Sequence, residues 1–421
     1  MTNLNVIEGI SIELPNDVRF ILDTLKKNGY EAFAVGGCIR DSILGLKPKD
    51  WDITTSALPG QIKGFFKRTI DTGIEHGTVT VMLDKTAYEV TTYRVDGKYS
   101  DGRHPDKVEF AVNLKEDLSR RDFTINALAY NPEIGLVDEF DGLSDLKQGI
   151  IRAVGDPKLR FNEDALRMMR AIRFSAQLGF DIDNATFAAI IELSKNINHV
   201  SMERIHTELG KTLMTNYPEY CLSYATTGLF MDILPIVQDA LTNNQSQKVL
   251  SMLKAAPMDL SIKYAALFCT KTADEATATL RVLKMDNKTI NMVDKILKAS
   301  KLNIPETEPG MRETLHKIGV ETMDKLISYM EADLVSNGEL LGIVNPSKKK
   351  HLFNVKRLYN DIISNGDCFA IADLDIDGND LKEYGLSGVE IGETLEKLLA
   401  IVMENPRLND KAVLIGLVEH L

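Results

Sequence analysis

Residues 34–55 read AVGGCIRDSILGLKPKDWDITT, and this segment sets the strictest limits on the fold. An apolar run ends at the pair Gly36-Gly37, and a short helix carrying Arg40 and Asp41 is predicted to begin there. Backbone N–H groups and the dipole at the start of a helix favour phosphate binding. The segment therefore predicts a strand, a turn and a helix around an anion.

A pair of carboxylates, Asp50 and Asp52, lies ten and twelve residues after Arg40. On a strand, side chains two residues apart point to the same face. Mg²⁺ is usually held by one or two carboxylates together with substrate phosphates. A phosphate-sized turn beside such a pair predicts chemistry on a nucleoside triphosphate.

Two other Asp-x-Asp patterns are interpreted differently. Asp181 and Asp183 precede NATFAAI, and this order is typical of the start of a helix. Residues 373–378 (DLDIDG) resemble the start of an EF-hand loop, but the twelfth position is Tyr384 instead of a bidentate Glu. The pair in the first segment is therefore the preferred candidate for metal binding.

Composition limits the class of protein. The 421 residues are 44% hydrophobic and 26% charged, which is typical of a globular chain long enough for two or more domains. The four cysteines lie far apart and form no CxxC pair, which argues against a disulfide framework or a zinc site and favours a cytoplasmic location. No secretory signal and no membrane-length apolar run is visible, and no protein partner is indicated.

The net charge of −12 disfavours a nucleic-acid partner, although a local basic surface would be sufficient to bind one. Residues 348–357 (KKKHLFNVKR) contain five Lys or Arg residues and no acidic residue. This run predicts either an RNA contact or a solvated helix face, and the sequence leaves both interpretations open.

The pattern is mixed α and β up to about residue 140 and helical from about residue 143. β-Branched and aromatic runs predict strands at 32–35, 51–55, 78–83, 87–93 and 108–112. Residues 94–107 (RVDGKYSDGRHPDK) predict a long mobile loop, and residues 156–180 predict a helix. The predicted class is α+β, an α/β head followed by an all-helical remainder.

Two later clusters combine arginines with acids. Residues 119–130 (SRRDFTINALAY) predict an amphipathic helix whose two arginines suit a triphosphate, although a surface ion pair would give the same pattern. Glu163 and Asp164 lie four and three residues before Arg167, so all three are neighbours on a helix. A carboxylate accepts hydrogen bonds, and a guanidinium only donates them. This pair matches the exocyclic amine and the ring nitrogen of cytosine or adenine, whereas uracil and guanine present a donor and an acceptor in the reverse order. The alternative is a set of helix-stabilising ion pairs.

Taken in order, these segments resemble the class II tRNA nucleotidyltransferases, which include the bacterial CCA-adding enzymes and their poly(A) polymerase relatives. GGCIRD with DWD resembles the first motif of the family, RRDFTINALAY the second and EDALRMMRAIRF the fourth. Residues 138–157 resemble the third, whose Asp141 and Gly142 are associated with domain movement. Residues 375–399 resemble the tail that grips the tRNA elbow.

The resemblance implies that Asp50 and Asp52 bind catalytic Mg²⁺ ions. It also implies a third catalytic carboxylate, which is either Glu89 or Asp122, and the sequence does not separate the two. Nucleotide-binding roles are implied for eight residues: Gly37, Arg40, Arg121, Glu163, Asp164, Arg167, Arg170 and Arg173. Among them, Asp164 and Arg167 would pair with the incoming base in place of a nucleic-acid template.

The implied organisation has four parts. They are a nucleotidyltransferase head with a five-stranded-type palm sheet (1–142), a helical neck with the base-recognition helix (143–212), a helical body (213–340) and a helical tRNA-binding tail (341–421). The implied reaction adds C, C and A to the 3′ end of tRNA from CTP and ATP and releases pyrophosphate. The implied partner is the acceptor stem and elbow of tRNA, with no membrane.

Several alternatives remain. Within the family these are addition of A alone and poly(A) synthesis. The polar loop, which CC-only members lack, and the absence of an arginine-rich poly(A) polymerase signature favour full CCA addition. A catalytically silent RNA-binding protein is disfavoured by the intact pair Asp50 and Asp52. A small-molecule nucleotidyltransferase would account for the head but not for the long helical remainder.

Overall fold

The structure is a computed structural model that describes residues 4–96, 108–110, 113–342 and 344–420. These residues form two compact units, and the boundary lies between Pro235 and Ile236. The first unit contains a mixed sheet and the helices around it, and the second unit is helical. The predicted α+β class is confirmed. The remainder is largely rather than entirely helical, because the short strands Ile150–Ile151 and Asp181–Ile182 pair within it. The finer division into four parts stays a prediction.

All strands of the described residues lie before residue 183. They are β1 (Val6–Ile7), β2 (Ala32–Val35), β3 (Asp52–Thr55), β4 (Thr69–Gly73), β5 (Thr78–Leu83), β6 (Thr86–Thr92), β7 (Arg94–Asp96), β8 (Val108–Phe110), β9 (Leu128–Asn131), β10 (Gly135–Asp138), β11 (Ile150–Ile151) and β12 (Asp181–Ile182). Eight of these described strands form one sheet in the order β1-β10-β9-β2-β3-β6-β5-β4. Within this sheet, β3 and β6 are the only parallel neighbours.

The helices of the described residues follow in chain order. They are α1 (Asn16–Lys27), α2 (Gly37–Ile43), α3 (Pro59–Phe65), α4 (Leu114–Ser119), α5 (Gly142–Gln148), α6 (Pro157–Glu163), α7 (Leu166–Leu178), α8 (Asn184–Leu193), α9 (Met202–Leu213), α10 (Leu222–Thr226), α11 (Pro235–Thr242), α12 (Ser246–Ala255), α13 (Leu260–Leu267), α14 (Ala273–Val282), α15 (Asn287–Ala299), α16 (Glu308–Ile318), α17 (Val320–Leu341), α18 (Pro346–Asn365), α19 (Gly378–Glu383), α20 (Val389–Glu404) and α21 (Lys411–Val418). No described helix is both long enough and apolar enough to cross a membrane.

The main sheet is covered on both faces, which explains why β2 is a continuous apolar run. Ala32 and Ala34 belong to the core shared with α1, whereas Phe33 and Val35 belong to the core shared with α4. All four side chains are buried. This packing fixes the end of β2, and therefore the position of the glycine turn that follows it.

The strand predictions at 32–35, 51–55, 78–83 and 87–93 are confirmed within one residue as β2, β3, β5 and β6. The strand predicted at 108–112 is present as β8, but it pairs with β7 instead of the main sheet. In the described residues, the sheet has three strands more than the five-stranded type. Of the strands in this sheet that were not predicted, β1 has only two residues and therefore a weak sequence signal, whereas β4, β9 and β10 have four or five residues each.

The amphipathic helix predicted at 119–130 is wrong. In the structure α4 ends at Ser119, a 3₁₀ turn covers Thr124–Asn126, and the segment continues as β9. β9 pairs with β2 on one side and with β10 on the other. Pairing in the sheet therefore overrides the apparent helical periodicity of this segment.

The single helix predicted within 156–180 is two helices in the structure, α6 and α7. The helical conformation is interrupted between them at Asp164, and this interruption is called the α6–α7 break below. This residue has an extended backbone, with φ −145° and ψ 105°, and its carboxylate accepts a hydrogen bond from the Leu166 N–H at 3.1 Å. Asp is a preferred residue at such a helix start. The break separates Asp164 from the regular helix surface on which the sequence had placed it.

Two hydrophobic cores can be described within the second unit from the residues that the structure describes. One is shared by α16, α17 and α18, and its buried residues include Met311, Leu326 and Val355. The other surrounds α20 and includes Leu381 and Leu398. The first core continues across residue 341, the predicted start of the tail.

Candidate active site

The structure places Asp52 and Glu89 directly opposite each other. Asp52 is the first residue of β3, and its partner in the parallel register with β6 is Glu89. Asp50 lies two residues before β3, so the expectation that both aspartates lie on one strand holds for Asp52 alone. All three side chains are exposed and therefore accessible to a ligand.

The three carboxylates also share one electrostatic environment. Although the side chain of Asp52 is exposed, the surrounding protein displaces part of its water, and this loss of hydration raises its pKa; Arg121 opposes this change, and Asp50 adds to it. Loss of hydration also raises the pKa of Glu89, and the negative charges of Asp52 and Asp50 raise it further. A cation placed between these groups would relieve their repulsion.

The carboxylates of Asp50, Asp52 and Glu89 suit a hard divalent cation, because carboxylate oxygens are the ligands that such ions prefer. Within the described part of the chain, no three His, Cys, Asp or Glu side chains are close enough to complete a metal site. Mg²⁺ typically takes one or two carboxylates and completes its shell with water and substrate phosphates. The donor set fits a metal that binds together with a nucleotide.

The raised pKa of Asp52 determines whether the free energy of unfolding rises or falls with pH. Between the ordinary pKa of 3.8 and the higher pKa in the folded chain, the folded state holds more protons than the unfolded state. The free energy of unfolding therefore falls as the pH rises through this interval. We expect Asp52→Asn to be more stable than the wild type at neutral pH without metal, and this advantage to vanish below the ordinary pKa.

Urea denaturation in chelator-containing buffer over a pH series measures this difference. Added Mg²⁺ should stabilise the wild type and leave Asp52→Asn nearly unchanged, because the variant lacks a metal-binding carboxylate. Asp71→Asn, which changes an exposed acid on β4, is the control and should follow the wild type. An Asp52→Asn variant that is less stable than the wild type at neutral pH would contradict the raised pKa of Asp52.

The glycine turn places an arginine beside the carboxylates. Gly36 has φ +86°, which favours glycine, and a Cβ atom on it would lie 3.1 Å from Arg121 Nη1. Arg121 is partly exposed, and among the described residues its buried Nε has no hydrogen-bond partner. The guanidinium of Arg121 therefore lies beside the turn and acts on the charge of Asp52, which places a positive charge next to the carboxylates.

Arg40 has a different environment, because its side chain is buried. Its Nη1 donates to Asn126 Oδ1 at 2.7 Å, and its Nε and Nη2 donate to Asp41 Oδ1 at 2.8 and 2.6 Å. Gly37, at the start of α2, is only half-buried. Contact of Gly37 or Arg40 with a nucleotide stays a prediction.

Asp122, the other candidate for the third carboxylate, is held by protein groups. It accepts from Arg170 Nε at 2.7 Å, from Asn126 Nδ2 at 3.1 Å and from the Phe123 N–H at 2.9 Å. Although burial opposes ionisation, Arg170 and these hydrogen bonds lower the pKa of Asp122 to about 2. The geometry therefore favours Glu89 as the third carboxylate.

Asp164 and Arg167 lie at the α6–α7 break, and separate partners orient each of them. Arg167 donates to Glu163 Oε2 at 2.5 Å and to the main-chain carbonyls of Arg160 and Arg120 at 3.1 and 3.0 Å. Asp164 accepts from Arg204 Nη2 at 2.8 Å. The predicted Glu163–Arg167 pair is thus present, and the acceptor and the donor are fixed independently.

Arg204 was missed by the sequence reasoning. It lies on α9, forty residues after Asp164, and nothing in the pattern MERIHTEL connects the two segments. Only the packing of α9 beside the break brings its guanidinium to Asp164. A long-range ion pair of this kind has no local sequence signal.

Three guanidinium groups surround the ring of Phe174. Arg173, Arg40 and Arg170 lie 4.0, 5.1 and 5.3 Å from its centroid, within the range of cation–π contacts. Arg173 is buried and pairs with Glu208 at 2.5 Å. Since protein groups already engage Arg170 and Arg173, their predicted nucleotide contacts stay predictions.

The basic run 348–357 lies on α18, and three of its five Lys and Arg residues, together with its histidine, pair with acids. The pairs are Lys348 with Asp333, His351 with Glu306, Lys356 with Glu331 and Arg357 with Asp361. These pairs give the helix a surface of mixed charge. The structure favours the solvated helix face over a strongly basic RNA contact.

The two other Asp-x-Asp patterns lie at the starts of helices. Asp183 accepts from the Thr186 N–H at the start of α8, as its interpretation as a cap predicted. Asp377 caps α19. Of the predicted loop 94–107, the first three residues form β7, and residues 97–107 lie outside the described residues.

Comparison with known proteins connects this geometry to a family. Residues 32–152 match the family described as the poly A polymerase head domain, and residues 179–241 match the probable RNA and SrmB-binding site of polymerase A. A CCA-adding enzyme of Lactobacillus delbrueckii subsp. bulgaricus is 38% identical over 419 residues, covering 98% of this chain and 98% of that protein. The chain belongs to the CCA-adding enzyme family.

Two further CCA-adding enzymes extend this result. That of Ligilactobacillus salivarius is 38% identical over 402 residues and covers 94% of both chains. The crystal structure of the Bacillus stearothermophilus CCA-adding enzyme in complex with CTP is 31% identical, with a TM-score of 0.76 and 96% of both chains covered. The family resemblance drawn from the motifs is confirmed. The head-domain match includes the glycine turn and the three carboxylates, and it ends before the break at Asp164.

Proposed function

We propose that this CCA-adding enzyme family member adds C, C and A to the 3′ end of tRNA from CTP and ATP without a nucleic-acid template. The observation that carries the proposal is the register of Asp52 with Glu89, beside Asp50 and Arg121. This arrangement supplies both the negative charge for a divalent cation and a positive charge for a triphosphate. The near full-length similarity to CCA-adding enzymes supports the choice of substrate.

In the proposed reaction, the 3′-hydroxyl oxygen of tRNA forms a bond to the α-phosphorus of the nucleotide. The hydroxyl gives up its proton, the bond from this phosphorus to the bridging oxygen breaks, and pyrophosphate leaves. Divalent cations, which we propose to be Mg²⁺ held by Asp50 and Asp52, would activate the hydroxyl and stabilise the leaving oxygens. Glu89 adds negative charge beside them, and Arg121 donates to the triphosphate. Positioning and charge neutralisation supply most of the catalysis.

Base selection follows from the order of acceptor and donor at the α6–α7 break. Asp164 accepts from the exocyclic amine of cytosine or adenine, and Arg167 donates to the adjacent ring nitrogen. Arg204 and Glu163 hold this pair in place. Uracil and guanine present the reverse order, so they would leave both protein groups unpaired.

Two further points belong to the proposal. We place the tRNA acceptor stem and elbow against the helical part of the chain, because structured RNA is recognised mainly by shape and phosphate contacts. A cytoplasmic location is supported by the four cysteines, which are free thiols in the structure. Addition of A alone or a poly(A) polymerase activity would use the same groups, so the distinction requires an assay.

The test uses tRNA transcripts that end before CCA, after C and after CC. Each is incubated with Mg²⁺ and with CTP, ATP, UTP or GTP, singly and together. We expect single additions of C, C and A that stop after the terminal A. Addition of A only to the CC-ended transcript, a long A ladder, or no extension would each contradict the proposal, and would indicate an A-adding enzyme, a poly(A) polymerase or a silent RNA-binding protein, respectively.

A further inference from the structure

Asp117, on α4, is a fully buried carboxylate beneath the two arginines that follow α4. Its Oδ1 accepts from Arg120 Nε and Nη2 at 3.0 and 2.8 Å, and from the Arg94 N–H at 3.4 Å. Its Oδ2 accepts from Thr54 Oγ1 at 3.0 Å and lies 3.5 Å from Arg121 Nη2. Four residues from three segments of the head therefore meet at this one side chain.

The charges at this point do not cancel. Although burial opposes ionisation, Arg120 and Arg121 lower the pKa of Asp117, so the carboxylate is ionised at neutral pH. One negative charge between two guanidinium groups leaves one positive charge in excess. A buried carboxylate fully paired in this way fixes the direction of both arginines. The excess charge is therefore held in a defined place beside Asp52.

Asp117 also connects the two halves of the site. Thr54 is two residues after Asp52 on β3, so one contact of Asp117 lies on the strand that carries the metal-binding candidate. Arg120, which Asp117 holds by its side chain, accepts from Arg167 Nη2 through its main-chain carbonyl. A short path of polar contacts therefore runs from β3 through Asp117 and Arg120 to the base-selecting arginine.

We propose that Asp117 is a positioning residue that aligns the triphosphate site with the base site. It holds Arg121 toward the triphosphate and fixes Arg120, whose main chain orients Arg167. The inference rests on the proposed function, in which Arg121 binds the triphosphate and Arg167 the base. Asp117 itself touches neither the nucleotide nor the metal.

The test compares Asp117→Asn with the full-length wild type in steady-state addition of CMP and AMP. The substitution keeps the shape of the side chain but removes its charge, leaving both arginines less firmly held. We expect the KM for CTP and ATP to rise about tenfold or more, because both arginines lose the charged partner that fixes their direction. The KM for tRNA should stay within about twofold.

The same assay separates positioning from simple stabilisation. If Asp117 only stabilises the fold, the variant lowers the amount of active enzyme and leaves the KM for nucleotides unchanged, which would overturn the proposal. Misincorporation of UTP should also rise in Asp117→Asn, because Arg167 loses part of its support. Asp367→Asn is the matched control, since it breaks a carboxylate pair with the buried Arg312 in the second unit. Its nucleotide KM should equal that of the wild type.

Two additions keep the result decisive. Thr54→Val removes one donor to Asp117 without a change of charge, and it should raise the nucleotide KM in the same direction by about twofold to fivefold. If Asp117→Asn does not fold, Thr54→Val alone tests the proposal. A nucleotide KM of Thr54→Val equal to that of the wild type would then reject it. Equilibrium binding of CTP with Mg²⁺ is measured in parallel. If the wild type binds CTP but extends no tRNA, the proposed function fails, while weaker CTP binding by the variant still supports the role of Asp117.

Discussion

Asp52→Asn should reduce the rate of nucleotide addition by at least about 10³-fold, the largest effect expected for any single substitution in this chain. The carboxylate lies opposite Glu89 and near Asp50, where a divalent cation would bind. Loss of a metal ligand removes several kcal/mol of charge stabilisation from the transition state, and each 1.36 kcal/mol changes the rate about tenfold. Single-turnover extension of a CC-ended tRNA with ATP measures the effect.

The control variants distinguish the candidate carboxylates. Glu89→Gln should also lower the rate strongly, whereas Asp71→Asn, on the same sheet but outside the site, should react like the wild type. Binding of tRNA by Asp52→Asn should be unchanged, because the substitution alters only the head. A rate within about tenfold of the wild type for Asp52→Asn would show that the metal site lies elsewhere.

Asp164→Ala should weaken the choice of base more than it weakens catalysis. Without the carboxylate, the exocyclic amine of cytosine or adenine loses its acceptor, and uracil or guanine no longer meets a repulsive partner. A bidentate base contact contributes about 1–3 kcal/mol of discrimination, so we expect the preference for CTP over UTP to fall about 10- to 100-fold. The ratio of kcat/KM values for CTP and UTP on a tRNA lacking CCA is the measurement.

A matched variant controls for the structural part of this substitution. Asp183 also caps a helix, α8, and pairs with an arginine, Arg152. Asp183→Ala therefore removes the same kinds of interaction outside the base-recognition cluster. It should lower stability and leave the base preference unchanged. If Asp164→Ala keeps the full preference for CTP and ATP, the pairing role of Asp164 is wrong.

The parts of the site that lie close together in the chain were predictable from the sequence. The turn after β2 and the start of β3 follow from an apolar run, two glycines and a β-branched segment, which are local signals. The break at Asp164 also had a local signal, since an Asp before an apolar helical segment is typical of a helix start. The continuous amphipathic pattern on both sides hid it.

The parts that depend on distant segments could not be predicted. Only the register between β3 and β6 shows that Glu89 faces Asp52, and Asp122 was an equal candidate until its contact with Arg170 was known. The roles of Arg204 and Asp117 were likewise not predictable, because contacts with distant segments define them. Sequence patterns give the residue types of a site, whereas long-range pairing selects which of them meet.

The parallel pairing of β3 with β6 has a consequence for the order of folding. Asp52 and Glu89 are separated in the chain by β4 and β5, and a parallel pair cannot be closed by a tight hairpin. Contacts between distant segments generally form more slowly than local helices and hairpins. Recovery of nucleotide addition during refolding should therefore report the closure of β3 against β6, even when helical structure has already returned.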